Sequence, residues 1–223
     1  MNGTASTAAG ATVPAVRSGA NGALAGWGTC LRILLRRFRV QVAAWLVPLW
    51  LLVGVTAPSY ESIYPSLETR TVLIEQMRKS PGTQLLYGYV PMPGRLGQLL
   101  QWETGTFLLV CTSLMAILLT CRMLRGDEDE GLTEVLRSTG TGRAVPLVVP
   151  VTVVWMIIGG LSAGVGGILT WQTRSIEELT VSGAWALAGT ICVTGWAFSA
   201  VAAVTSQLGR QVGQARSLSM IVL

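Results

Sequence analysis

The sequence predicts an all-α, polytopic integral membrane protein: a bundle of helices that crosses a bilayer several times. Three observations predict it. Of the 223 residues, 51% are hydrophobic and only 12% charged, about half the charged share of an ordinary soluble domain. The charge deficit is concentrated in long uncharged runs of bilayer-crossing length. The basic residues, 16 against 11 acidic, mostly flank those runs, where they act as orientation signals and form no nucleic-acid patch.

The elements follow in order. Residues 1–25 are mostly Gly, Ala, Thr and Ser with one Arg and no periodicity, the composition of a disordered cytoplasmic tail. Over 26–39, Trp27, Leu31, Leu34, Leu35 and Phe38 recur at helical spacing, with Arg32, Arg36 and Arg39 on the other side. This pattern fits an interfacial amphipathic helix against anionic headgroups, or a simple extension of the first span. Residues 40–57 form the first span, uncharged and broken only by Pro48. Arginines before it predict a cytoplasmic amino terminus.

Residues 58–103 are an extracellular segment with a helix expected over 66–79, then breakers at Pro81, Gly82, Pro91, Pro93 and Gly94. Its aromatics, Tyr60, Tyr64, Tyr87, Tyr89 and Trp102, suit interface anchors or the lining of an exit. The second span is 104–121, followed by a cytoplasmic loop over 122–143. The third span, 144–173, carries Gly160, Ala163, Gly164 and Gly167, a small-residue stripe of the kind that packs helices closely in lipid. A short outer loop, 174–183, leads to the fourth span, 184–204. A cytoplasmic loop at 205–217 precedes the apolar run 218–223, which reads as the beginning of a fifth span in a longer protein.

Several chemistries are excluded. Histidine is absent, so no His metal site, general base or proton relay exists. The four cysteines show no C-x-x-C spacing and read as packing residues. There is no G-x-x-x-x-G-K-[ST] phosphate loop, and no catalytic constellation. No metal site is expected, because Asp127-Glu128-Asp129-Glu130 lacks the spacing of a calcium loop. No span carries an ionised residue in its core, which argues against ion coupling through these spans.

The strongly charged run is Arg125 to Arg143. Asp127 with Glu130 three residues later has the pattern of a helix start, and the acids would occupy a first turn favoured by the helix dipole. Leu132, Val135 and Leu136 share one face, Arg137 lies in the last turn, and Gly140 ends it. This predicts a helix of roughly 16–18 Å just outside the membrane. It is suited to touching a partner in the adjacent water phase.

At these residues the chain resembles the membrane subunit of ABC-2-type exporters, in particular the actinobacterial polyketide-antibiotic group. Glu128, Glu130, Gly131, Glu134, Leu136 and Arg137, closing on Gly142 and Arg143, resemble the acidic loop of those permeases. Tyr64-Pro65, Pro81 and Leu86-Tyr87-Gly88 resemble points outside their first span, and Ala200 to Ala203, Gln207, Ala215, Arg216 and Leu218 their later spans. The resemblance implies a plasma-membrane exporter of an apolar or amphipathic compound. It also implies a coupling helix at 127–138 that docks on a separate ATP-binding subunit, which would hold the ATP and Mg, with no cofactor in this chain. Glu130 and Glu134 would make the polar contacts of that dock, and Leu132, Val135 and Leu136 its apolar side, with Glu128 and Arg137 also on the partner-binding helix. A second permease half or copy would complete the bundle. The alternative is a membrane scaffold that recruits a cytosolic protein and transports nothing.

Overall fold

The structure is a computed structural model that describes residues 26–63, 66–89, 94–129 and 144–208. It is a helical bundle with four helices long and apolar enough to cross a membrane. α1 is Trp27–Ile63, α2 Leu67–Lys79, α3 Pro81–Tyr87 and α4 Leu96–Leu100. A π-helical turn, Gln101–Gly105, joins α4 to α5, Thr106–Asp129. α6 is Val145–Gln172 and α7 Val181–Leu208.

α7 is the centrepiece, packed against both α5 and α6, while α1 lies on the far side of α6. Its buried residues are Ala184, Leu187, Ala188, Ile191, Gly195, Ser199, Ala202 and Ser206. Apart from Leu187 they recur at spacings of three and four, the seam of close-packed helices, and in that seam all but Ile191 are small. A Cβ on Gly195 would stand 2.8 Å from Ile158 Cγ2 and 2.9 Å from Thr112 Cγ2. Deeper in the seam the Thr120 and Ser199 hydroxyls share a hydrogen bond of 3.0 Å. Outward-facing apolar side chains such as Val40, Leu51, Val55, Phe107 and Val193 are exposed. Together with the four long apolar helices, they make this a multi-pass helical membrane protein.

α1 is one continuous helix of 37 residues, about 55 Å at 1.5 Å per residue and far longer than a bilayer core of about 30 Å. The amphipathic stretch 26–39 therefore runs into the span without a break. Its buried Leu34 and Phe38 join the main core, and the Arg122 guanidinium of α5 sits 5.7 Å from the Phe38 ring. The arginine-flanked ends of α1 and α5 thus lie together.

The second span starts earlier than residue 104: helix begins at Leu96 and passes through the π turn. It also continues to Asp129, so Asp127 and Glu128 belong to the end of α5, and Asp127 does not start a new helix. Nothing interrupts the backbone ladder at Gly126. Glu130, Leu132, Glu134, Val135, Leu136 and Arg137 fall outside the described residues.

The small-residue stripe on α6 divides. Gly164 lies directly under Trp50 of α1, whose Nε1–H donates to Leu161 O at 3.1 Å. Gly160 and Gly167 have open space where a Cβ would be, and Ala163 is exposed. Among the described residues these three pack against no other helix. Gly166 does: a Cβ there would be 3.1 Å from the Trp185 ring and 3.2 Å from Ala188 Cβ. The stripe is correct for helical spacing, but α6 is packed by α1, α5 and α7, and of its glycines Gly164 and Gly166 are the ones that closely face a neighbouring helix.

Gly164→Ala would place a methyl 2.3 Å from Trp50 Nε1. We expect it to displace α1 and lower stability by about 1–3 kcal/mol. Gly160→Ala should be neutral or slightly stabilising, because helix propensity favours Ala over Gly. Thermal unfolding of the two variants in detergent, followed by tryptophan fluorescence, checks the difference.

Candidate functional site

At the end of the bundle opposite Arg122, short segments form a polar layer over the spans. Its organising group is the Glu178 carboxylate, in the α6–α7 connection. Oε2 accepts from Arg70 Nη1 of α2 at 2.5 Å and from the Leu96 N–H at the start of α4 at 2.8 Å. Arg70 is only 2% exposed and Glu178 36%. Burial raises the Glu178 pKa. The hydrogen bonds from Leu96 and Arg70, with the positive fields of Arg70 and Arg95, outweigh it and hold the carboxyl below its ordinary 4.5. One carboxylate therefore joins three segments that are distant in sequence.

The π turn does the second piece of positioning. An extra residue in the helical ladder rotates what precedes it relative to α5. Trp102 is thereby buried with Ile74 and Leu99, its ring 5.2 Å from Tyr87. Trp102 Nε1–H donates to Gly88 O at 3.3 Å. Gly88 and Gly94 have φ of 73° and 76°, a region that L side chains avoid. A Cβ on Gly94 would also collide with Ile74, so glycine fits there on both counts.

Between this layer and the start of α7 lies an open trough. One lobe, about 210 Å³, is lined by Arg95, Gln98, Gln101, Thr180 and Leu187 among others. The other, about 480 Å³, includes Tyr87, Tyr89, Gln98, Gln101 and Leu187. Gln98, Gln101 and Leu187 line both, which makes the two lobes one feature. Its position is where the sequence placed aromatic anchors. Of these, Trp102 is buried and acts as a packing wedge, while Tyr89 is exposed with Arg78 4.3 Å above its ring. Glu178, Arg70, Gln98 and Gln101 were not singled out by sequence; their only signal is charge and amide pairing among residues far apart in the chain. The small stripe at Gly160, Ala163, Gly164 and Gly167 lies away from this trough. No cluster of metal-ligating side chains occurs among the described residues.

No family model matches the chain. It is similar to the multidrug efflux system permease protein Rv1217c of Mycobacterium tuberculosis, with 31% identity over 194 residues. The match takes in 86% of this chain and 34% of that protein, so the chain spans about a third of the length of this relative. The matched stretch is long enough to include most of the four apolar helices. It supports a membrane transport permease.

Because folding depresses the Glu178 pKa, its stabilising contribution is complete above the ordinary value of 4.5. It is lost as pH falls through the lower folded value. Glu178→Gln should therefore melt below wild type at about pH 6, and the gap should close as the pH drops below 4.5. Glu178→Ala, which takes the carboxylate from a buried guanidinium, should cost about 2–3 kcal/mol after allowance for the exposure of Glu178. Melting curves against pH check both.

Proposed function

We propose that this chain forms part of the membrane domain of an ATP-driven exporter that moves an apolar or amphipathic compound out of the cell. The observation that carries the proposal is the similarity to a multidrug efflux permease over 86% of the chain. Four apolar helices without ionised residues at their centres suit an apolar or amphipathic cargo. The ABC-2 assignment and the antibiotic class rest on the resemblance of the acidic loop and of the Tyr-Pro and Leu-Tyr-Gly points.

On this reading, the arginine-rich end of the bundle is cytoplasmic and the trough end faces outward. The meeting of Phe38 with Arg122 supports placing the arginine flanks of α1 and α5 on one side. The chain contains no phosphate loop, so ATP and Mg belong to a separate ATP-binding subunit. That subunit docks on the 127–138 segment through Glu130 and Glu134 and an apolar side of Leu132, Val135 and Leu136. Closure of two such subunits pushes on the segment and opens an outward path between the spans. A second permease half or copy completes the path.

Co-purification tests it. The full reading frame containing this chain is expressed with its candidate ATPase and extracted in mild detergent. Wild type should retain the ATPase. Glu130→Lys with Glu134→Lys should lower its recovery by about tenfold or more, as reversal of two interfacial charges predicts, while the permease stays folded. Binding that survives the charge reversal removes those acids from the dock. A wild type that retains a soluble signalling protein and no ATPase replaces the exporter by a scaffold.

A further inference from the structure

The trough beside the π turn is built from unlike walls. On one rim stands Arg95, exposed and without an ion pair among the described residues. Glu178 lines the same lobe, but its carboxylate is engaged by Arg70 and the Leu96 N–H, so the two arginines and the one acid leave the rim one positive charge in excess. Hydrogen-bond donors continue along the same rim. Gln98 uses its carbonyl to accept from the Arg95 N–H at 3.1 Å, which leaves its NH2 group to donate. The exposed Gln101 carboxamide stands one turn further on. Below these, Leu109 and Leu187 form an apolar floor. The helix faces beside it, with Phe107 and Val110, are exposed and suited to lipid.

The depth of the trough is set by its neighbours. Trp171, with Arg174 4.7 Å above its ring, and Trp185 are exposed at the same end of the bundle. Tryptophans at span ends mark the membrane interface. A cavity at that level opens to water above and to hydrocarbon beside it. Both lobes fall within or near the roughly 300–1,000 Å³ of small-molecule sites.

We propose that this trough binds an anionic amphiphile. A carboxylate or phosphate head accepts from Arg95, Gln98 and Gln101, and the hydrocarbon chain lies over Leu187 and Leu109 toward the lipid. Arg95, with the amide donors beside it, selects the head by charge-assisted hydrogen bonds, and the leucine floor takes the tail by apolar burial. That the occupant is exported cargo rests on the export proposal; that the trough holds an anionic amphiphile does not. A membrane lipid presents the same chemistry.

The probe is a long-chain fatty acid bearing a photoactivatable diazirine, with the corresponding alcohol as its neutral twin. The full reading frame with its ATPase, in phosphatidylcholine nanodiscs, is irradiated and the labelled peptides are mapped by mass spectrometry. The acid should label the stretches around 95–109 and 181–190, and the alcohol should label them weakly. Arg95→Gln should weaken labelling by the acid about tenfold, the loss expected for one charge-assisted contact, and Gln101→Glu should abolish it. Arg174→Gln, at the same depth, should leave it unchanged. Gln101 is exposed, so its variant keeps the fold even if Arg95→Gln loosens the Glu178 layer.

Labelling spread evenly over the exposed helix faces overturns the proposal. So does labelling indifferent to Gln101→Glu, or equal for acid and alcohol. Competition by added phosphatidylglycerol, with no response to ATP, supports the site with a leaflet lipid as its occupant. Release of the probe on ATP addition supports it with cargo as the occupant. If Arg95-dependent binding persists while no compound moves with ATP, the export proposal fails and the binding site stands.

Discussion

Where α5, α6 and α7 meet, α7 has no side chain. Gly195 lets Thr112 from one neighbour and Ile158 from the other approach to distances at which a methyl group would already collide. In lipid, apolar helices gain nothing by hiding from their solvent, so association depends on contact area and on a few hydrogen bonds. A thin α7 maximises the first, and the Thr120–Ser199 bond supplies the second. α1 attaches by the same rule one helix further out, with Trp50 seated on Gly164 and Gln172 Nε2–H donating to Gly54 O at 2.8 Å. The bundle is therefore a chain of close approaches, each set by a glycine facing a larger side chain.

The layer at the Glu178 end follows different physics. Outside the hydrocarbon, charge is affordable, and one carboxylate collects an arginine from α2 and an amide from α4. This fixes where α4 begins, and hence where the π turn must absorb the change of phase into α5. Trp102 then turns away from the spans and into the layer. The trough is what remains between a layer aligned by polar bonds and a span, α7, aligned by small-residue packing. Neither system of contacts fills it.

How much of this was legible in the sequence depends on the range of the forces. Uncharged runs reveal spans because the bilayer acts on each helix separately, and the four expected spans correspond to α1, the α4–α5 helix, α6 and α7. Their ends were less legible. Residues 26–39 continue into α1, and α5 continues past Arg122, because helices keep their backbone bonds when they leave lipid and nothing at the interface obliges them to stop. The helix expected over 66–79 is α2. The small stripe was legible as a pattern, but its facing was not: Gly164 is covered, while Gly160, Ala163 and Gly167 are open, and only the arrangement of neighbours decides that. Glu178 and Arg70 lie 108 residues apart, and no local pattern announces such a pair.

α5 ties these two regimes together. Among the described residues, it is the element that starts at the π turn beside the trough and ends at Asp129, within the acidic run. At 24 residues it is about 36 Å long, and it carries no proline that would let one half move without the other. Along its length it packs against both α6 and α7, with the Thr120–Ser199 hydrogen bond as one polar link to α7. Under the proposed export function, a push on the residues after Asp129 would therefore reach Gln101 as a movement of the whole helix. The π turn is the nearest place where that movement can be absorbed. It would change the width of the trough between Gln101 and Leu187, which links the charged segment to the opposite face without any ionisable relay through the membrane.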